Sequence, residues 1–70
     1  MKFLNILEPT GTGFSEYSPD LDGCVVAADD REETIALMKE AIAFHLDGLA
    51  ADGQPFPQPR NEAEVVEVGI

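Results

Sequence analysis

Four carboxylates near the start of the chain, Glu8, Glu16, Asp20 and Asp22, are the residues whose types could support metal-dependent chemistry. A nuclease that works with two magnesium ions needs several carboxylates that converge on about two metal positions. Glu8 and Glu16 lie across a predicted hairpin, whereas Asp20 and Asp22 lie in the loop that follows it. Because nothing in this spacing brings the four to one point, we interpret them as solvated charges and expect no enzymatic activity, cofactor or metal site.

The single histidine and the single cysteine offer little further chemistry. His45 flanks the apolar stripe of a predicted helix, and no cluster of His, Cys, Asp or Glu at ligand spacing surrounds it. Cys24 begins an apolar run without a neighbouring cation in the sequence. One cysteine cannot form an intramolecular disulfide, which is typical of a reducing compartment. We predict that both side chains have packing roles.

Length and charge restrict the function classes. Seventy residues predict a single domain over residues 1–70, and 4 Lys and Arg against 14 Asp and Glu give a net charge of −10. A basic face for nucleic-acid phosphates or an anionic membrane cannot readily be built from four cations. A hydrophobic content of 44% argues against disorder, and no apolar run approaches the roughly 20 residues of a membrane span. We therefore expect a cytoplasmic protein without membrane or nucleic-acid partners.

The elements that must position these side chains follow from hydrophobic periodicity and turn residues. Apolar patterns predict three short strands, over residues 2–8, 14–18 and 24–28. A helix is predicted over residues 31–51, with Asp30 as its N-cap and Gly53 as its stop.

A final short strand is predicted from Val65, Val66 and Val68. A right-handed crossover through the helix would place it parallel to the first strand. The result is an α+β fold of order β-β-β-α-β, with one helix on a small mixed sheet. One helix covers only one face of the sheet, and the first strand is apolar on both faces. We therefore expect a second copy of the chain to cover the other face or an edge, in a homo-oligomer.

Four stretches, in this order, resemble the HicB family of bacterial antitoxins and its short stand-alone members: residues 17–24, 29–33, 40–49 and 52–59. The resemblance covers nearly the whole chain and implies a partial RNase H-like fold and dimers or tetramers. Family members with a full antitoxin role usually carry a C-terminal DNA-binding segment. This chain ends at Ile70, just after the last predicted strand, so we expect no such segment and no direct binding of nucleic acid. Family members often have proline where this chain has Asp22.

The resemblance implies a protein-binding module that neutralises a small basic mRNA-cleaving toxin of the HicA type. The charge of −10 would complement the basic surface that an RNA-cutting protein must carry. Glu16, Asp20 and Asp22, around the hairpin and the following loop, are the predicted partner-binding residues. Two alternatives stay open: a homo-oligomeric regulatory or structural domain without a toxin partner, and a metal-dependent nuclease.

Overall fold

The computed structural model describes residues 1–70 and consists of three strands followed by one helix. The strands are β1 (Ile6–Pro9), β2 (Phe14–Tyr17) and β3 (Val25–Ala28), and the helix is α1 (Arg31–Ala51). The sheet is antiparallel, in the order β1-β2-β3. The predicted α+β class and the order of these four elements are confirmed. No helix combines the length and apolarity that crossing a bilayer requires.

The turn between β1 and β2 is built by Thr10 and Gly13. The Thr10 N–H donates to the Gly13 carbonyl at 2.8 Å, and the Gly13 N–H donates to Thr10 Oγ1 at 3.0 Å. A Cβ at Gly13 would collide with the carbonyl oxygen of Ala28 in β3. Glycine is therefore required here because the backbone of a neighbouring strand passes too close for any side chain.

The strand register separates the side chains of the sheet into two faces. Glu16 lies opposite Leu7 on one side and Val26 on the other. Val26 packs against the hydrophobic core beneath α1, so Glu16 and Leu7 also face the helix side. The opposite side has no element over it. We call it the open sheet face, and it carries Ile6, Glu8, Ser15, Tyr17, Val25 and Ala27.

Both ends of α1 are set by local hydrogen bonds. At the start, the Glu33 N–H donates to Asp30 Oδ1 at 2.7 Å, as expected of an N-cap. At the end, Gly53 adopts a positive φ of 69° and the Gln54 N–H donates to the Leu49 carbonyl at 2.8 Å. This is a Schellman-type ending. The predicted helix bounds, N-cap and glycine stop are confirmed.

The hydrophobic core is small and consists of Leu21, Cys24 and Met38. Four half-buried residues pack around it: Phe3, Val26, Ile42 and Leu46. Cys24 is thus a core residue, as predicted, and burial raises the pKa of its thiol. The helix packs mainly on β3 and β2, and Leu7 on the helix side of β1 is half-buried.

The predicted last strand is wrong for this structure. Residues 54–70 form no strand, the sheet has no fourth member, and all its pairings are antiparallel rather than mixed. A strand exists only when a sheet edge pairs with it, and this segment makes no backbone hydrogen bond to the sheet. Residues 62–70 are instead exposed, and the radius of gyration of 14.1 Å exceeds the about 11 Å expected for a compact chain of this length. The first strand is also shorter than predicted, at Ile6–Pro9 instead of residues 2–8.

Candidate protein-binding surface

Glu16, the first of the three predicted partner-binding residues, lies inside the molecule. It is 5% exposed, in the central strand and on the helix side of the sheet. Its Oε1 is buried without a hydrogen-bond donor. Buried polar atoms usually have a partner, so this carboxylate is an exception in the packing between sheet and helix. Glu16 cannot contact a partner protein unless the helix moves.

Asp20, the second, holds the C-terminal segment against the loop between β2 and β3. Its Oδ2 accepts hydrogen bonds from the backbone N–H groups of Arg60 at 3.1 Å and Asn61 at 3.2 Å. Its Oδ1 accepts one from Asn61 Nδ2 at 2.6 Å. We call this arrangement the Asp20 clasp.

The clasp also shifts the acidity of the Asp20 carboxyl. Partial desolvation acts to raise its pKa, but the hydrogen bonds from Arg60 and Asn61 and the positive charge of Arg60 outweigh that effect. The pKa therefore lies below its usual range. The side chain is ionised at neutral pH and already engaged by its own chain.

Asp22, the third, is exposed and makes no hydrogen bond or ion pair. The structure therefore places one predicted residue in the interior, one in an intramolecular contact and one at the surface. Only Asp22 is available to a partner without rearrangement. No group of three or more His, Cys, Asp and Glu side chains is arranged to hold a metal ion.

The open sheet face has the composition of a protein-binding surface. Ile6, Tyr17 and Val25 are directly opposite one another in the three strands and form one apolar row across the sheet. Tyr17 is 40% exposed and Val25 is 65% exposed. Glu8 and Ser15 add polar groups beside the row. An apolar centre with a tyrosine and a polar surround is typical of interfaces between proteins.

A second apolar feature lies between α1 and the loop that joins β2 to β3. Phe44 is 81% exposed and borders a shallow hollow formed with Gly23, Gly48 and Leu49. His45 also lines this hollow and is half-buried. The hollow is lined by three apolar side chains from one helix, Ala41, Phe44 and Leu49, whereas the open sheet face presents a continuous row over three strands. The open sheet face is therefore the stronger candidate.

Comparison with known proteins identifies the family. Residues 4–68 match the family described as the HicB_like antitoxin of bacterial toxin-antitoxin systems. The chain belongs to the HicB-like antitoxin family. This confirms the family to which the sequence motifs pointed.

Two relatives of this HicB-like chain share a little over a third of their aligned residues with it. An uncharacterized 14.9 kDa protein of Haemophilus phage HP1 is 35% identical over 52 residues, which are 74% of this chain and 39% of the phage protein. A UPF0150 protein of Synechocystis sp. is 37% identical over 46 residues, which are 66% of this chain and 58% of the cyanobacterial one. The HicB-like chain thus spans between about two fifths and three fifths of the length of these relatives.

A solved structure has the same fold. A chain of the HicA3 and HicB3 toxin-antitoxin complex superposes on the HicB-like chain with a TM-score of 0.66 and 34% sequence identity. The match covers 80% of this chain and 65% of the other. The three antiparallel strands and the following helix are therefore an arrangement that a chain of a toxin-antitoxin complex also adopts.

Proposed function

We propose that this HicB-like chain is an antitoxin module that binds a small basic toxin of the HicA type and blocks its action on mRNA through protein contacts alone. The observation that carries the proposal is the likeness to a chain of the HicA3 and HicB3 complex, at 34% identity over 80% of this chain. Family membership over residues 4–68 supports the same role.

Charge supplies the physical reason for the partner class. A protein that binds and cuts RNA presents Lys and Arg to the phosphates, and this chain carries a net charge of −10. Opposite charges accelerate the encounter of two proteins and favour the correct partner. The acidic chain would compete with RNA for the basic surface of the toxin.

The open sheet face is the proposed contact surface. Its row of Ile6, Tyr17 and Val25 supplies apolar area for the centre, and the Glu8 carboxylate on the same face faces solvent, ready for a basic partner. The exposed carboxylate of Asp22 is retained from the sequence prediction as a contact. Glu16 and Asp20 are assigned structural roles instead, since the first is buried and the second holds the C-terminal segment.

Calorimetric titration of a catalytically inactive HicA-type toxin with this chain tests the proposal. We expect a complex whose affinity falls as salt concentration rises, because its charge contacts are screened. Tyr17→Ala should weaken the complex, and Phe44→Ala, an exposed aromatic on the helix, is the matched control and should not. Absence of binding at micromolar concentration in low salt would overturn the proposal.

A further inference from the structure

The hollow between α1 and the loop that joins β2 to β3 is not used by the proposed toxin contact. Its lining includes Ala41, Phe44 and Leu49 of the helix and Gly23 of the loop. Phe44 is 81% exposed, more than any other large apolar side chain in the strands and the helix. An aromatic ring beside an open hollow offers an anchor point to another molecule.

Gly48, which also lines the hollow, has no structural reason within its own chain. It lies inside α1, its φ is not positive, and a Cβ there would meet no atom within 4 Å. Glycine in a helix interior is less favourable than alanine, because its backbone loses more conformational freedom on folding. The missing side chain leaves the hollow open. We therefore connect Gly48 with the close approach of another molecule.

The hollow is acidic at the end that meets the helix C-terminus. Asp52, the C-cap of α1, lines the hollow, and Asp47 is exposed one turn earlier. Neither carboxylate has an ion-pair partner, and no lysine or arginine lines the hollow. The last turn carries no basic residue, although the C-terminus of a helix is the negative end of its dipole and favours cations. A positive charge supplied by another molecule would therefore be stabilised here.

We propose that the hollow binds a segment of a second protein, in which an apolar side chain and an arginine or lysine are about four residues apart. The apolar side chain packs on Phe44 and over Gly48, and the cation meets Asp52. Phe44 and Asp52 are 52 − 44 = 8 residues apart, which is about 12 Å along the helix axis. An extended segment covers that distance in about four residues at about 3.3 Å each.

This inference does not rest on the toxin proposal. The helix packs on one side of the sheet and the open sheet face is on the other, so both surfaces can be occupied at once.

Titration of the full chain with a short peptide, followed by its amide chemical shifts, tests the proposal. The probe is an acetylated and amidated peptide of alanines with one leucine and, four positions later, one arginine. The control peptide has glutamate in place of the arginine. We expect saturable shifts at Gly23 and Gly48 with the arginine peptide, with a dissociation constant on the order of 1 mM, and none with the glutamate peptide.

Two substitutions test the assigned contacts. Phe44→Ala should weaken peptide binding about tenfold, because it removes the apolar anchor. Asp52→Asn keeps the backbone N–H that caps the helix and should weaken binding about threefold, because it removes the carboxylate charge. Glu62→Gln removes one charge from an exposed position outside the hollow, and as the matched control it should change the affinity little.

Gly48→Ala separates a binding role from a structural one. The variant should raise the midpoint of thermal unfolding by about 4–8 °C, because alanine favours the helix and its Cβ has room. The same Cβ fills part of the hollow and should weaken peptide binding. Higher stability with unchanged peptide affinity would overturn the role given to Gly48 and with it the proposal.

A preformed complex with an inactive HicA-type toxin should bind the arginine peptide as tightly as the chain alone does. Displacement of the peptide by the toxin would assign the hollow to the toxin interface, and Gly48 shifts that change on dilution of the chain alone would assign it to a second copy. Either result, or equal affinity for the two peptides, would overturn the proposal. If no toxin complex forms, the toxin proposal fails while the titration of the chain alone still decides this one.

Discussion

Asn61 binds the Asp20 carboxylate at two points, with its side-chain amide on one oxygen at 2.6 Å and its backbone N–H on the other at 3.2 Å. The two residues are 41 positions apart in the chain. This contact joins the loop after β2 to the segment that follows the helix. Asp20 was predicted to bind a partner protein, and in the structure it holds the C-terminal segment instead.

Asp20→Asn should loosen this contact, because the amide is uncharged and one of its two positions is a donor instead of an acceptor. Trypsin cleaves after arginine, so the rate of cleavage after Arg60 measures the release of the segment. We expect faster cleavage in the variant while the helix sites at Arg31 and Lys39 stay protected. Asp22→Asn, at an exposed aspartate without hydrogen bonds, is the control and should leave the rate unchanged. Equal rates for both variants would contradict the role of the clasp.

Acid should open the clasp. The folded pKa of Asp20 lies below its ordinary value of 3.8, so the clasp stabilises the folded chain above that pH and is lost as the pH falls through the folded pKa. Amide chemical shifts of Arg60 and Asn61 should stay constant at neutral pH and change only below about pH 4. In Asp20→Asn the same signals should lack this transition. A change centred near neutral pH would show that a different group controls the segment.

The helix N-cap should contribute measurably to stability. Asp30→Ala removes the acceptor for the Glu33 N–H and should lower the free energy of unfolding by about 1 kcal/mol. Asp29→Ala, one residue earlier and without that bond, should change it by less than about 0.5 kcal/mol. Urea denaturation measures both, and equal losses would contradict the assignment of Asp30 as the cap.

The core should tolerate truncation poorly because it is small. Met38 is fully buried in the cluster with Leu21 and Cys24, and Met38→Ala should cost about 2–5 kcal/mol. Such a loss is comparable with the whole stability of many domains of this size. Leu37→Ala, at a partly exposed neighbouring helix position, should cost much less. Thermal unfolding followed by circular dichroism distinguishes the two.

Local chemistry made the helix predictable, whereas the last strand depended on pairing with a distant sheet edge, which a local pattern does not contain. Asp30 and Gly53 determine the bounds of α1 through bonds to residues three to five positions away, which a sequence pattern contains. In this structure residues 65–68 pair with no sheet edge and therefore form no strand. The valine pattern therefore predicted a strand, but the predicted pairing of that strand with the first strand is wrong for this structure.

The predicted contact residues show a second limit of the sequence. Glu16 was predicted to face solvent because its side chain is charged. The register with Leu7 and Val26 instead places it beneath the helix, and only the side of the sheet on which the helix packs decides this. The Asp20 clasp depends on a contact over some 40 residues that no short motif indicates. The sequence shows that Tyr17 and Val25 are largely apolar. Only the strand pairing shows that the two side chains lie in one row across the sheet.

Inhibition of RNA cleavage tests the central claim most directly. A HicA-type toxin is incubated with RNA and increasing amounts of this chain, with Tyr17→Ala and Phe44→Ala variants in parallel. The account predicts that cleavage stops near stoichiometric addition, that Tyr17→Ala requires a higher concentration, and that Phe44→Ala behaves like the unaltered chain. Cleavage that continues at saturating concentrations of the unaltered chain would contradict the claim that this HicB-like chain is an antitoxin.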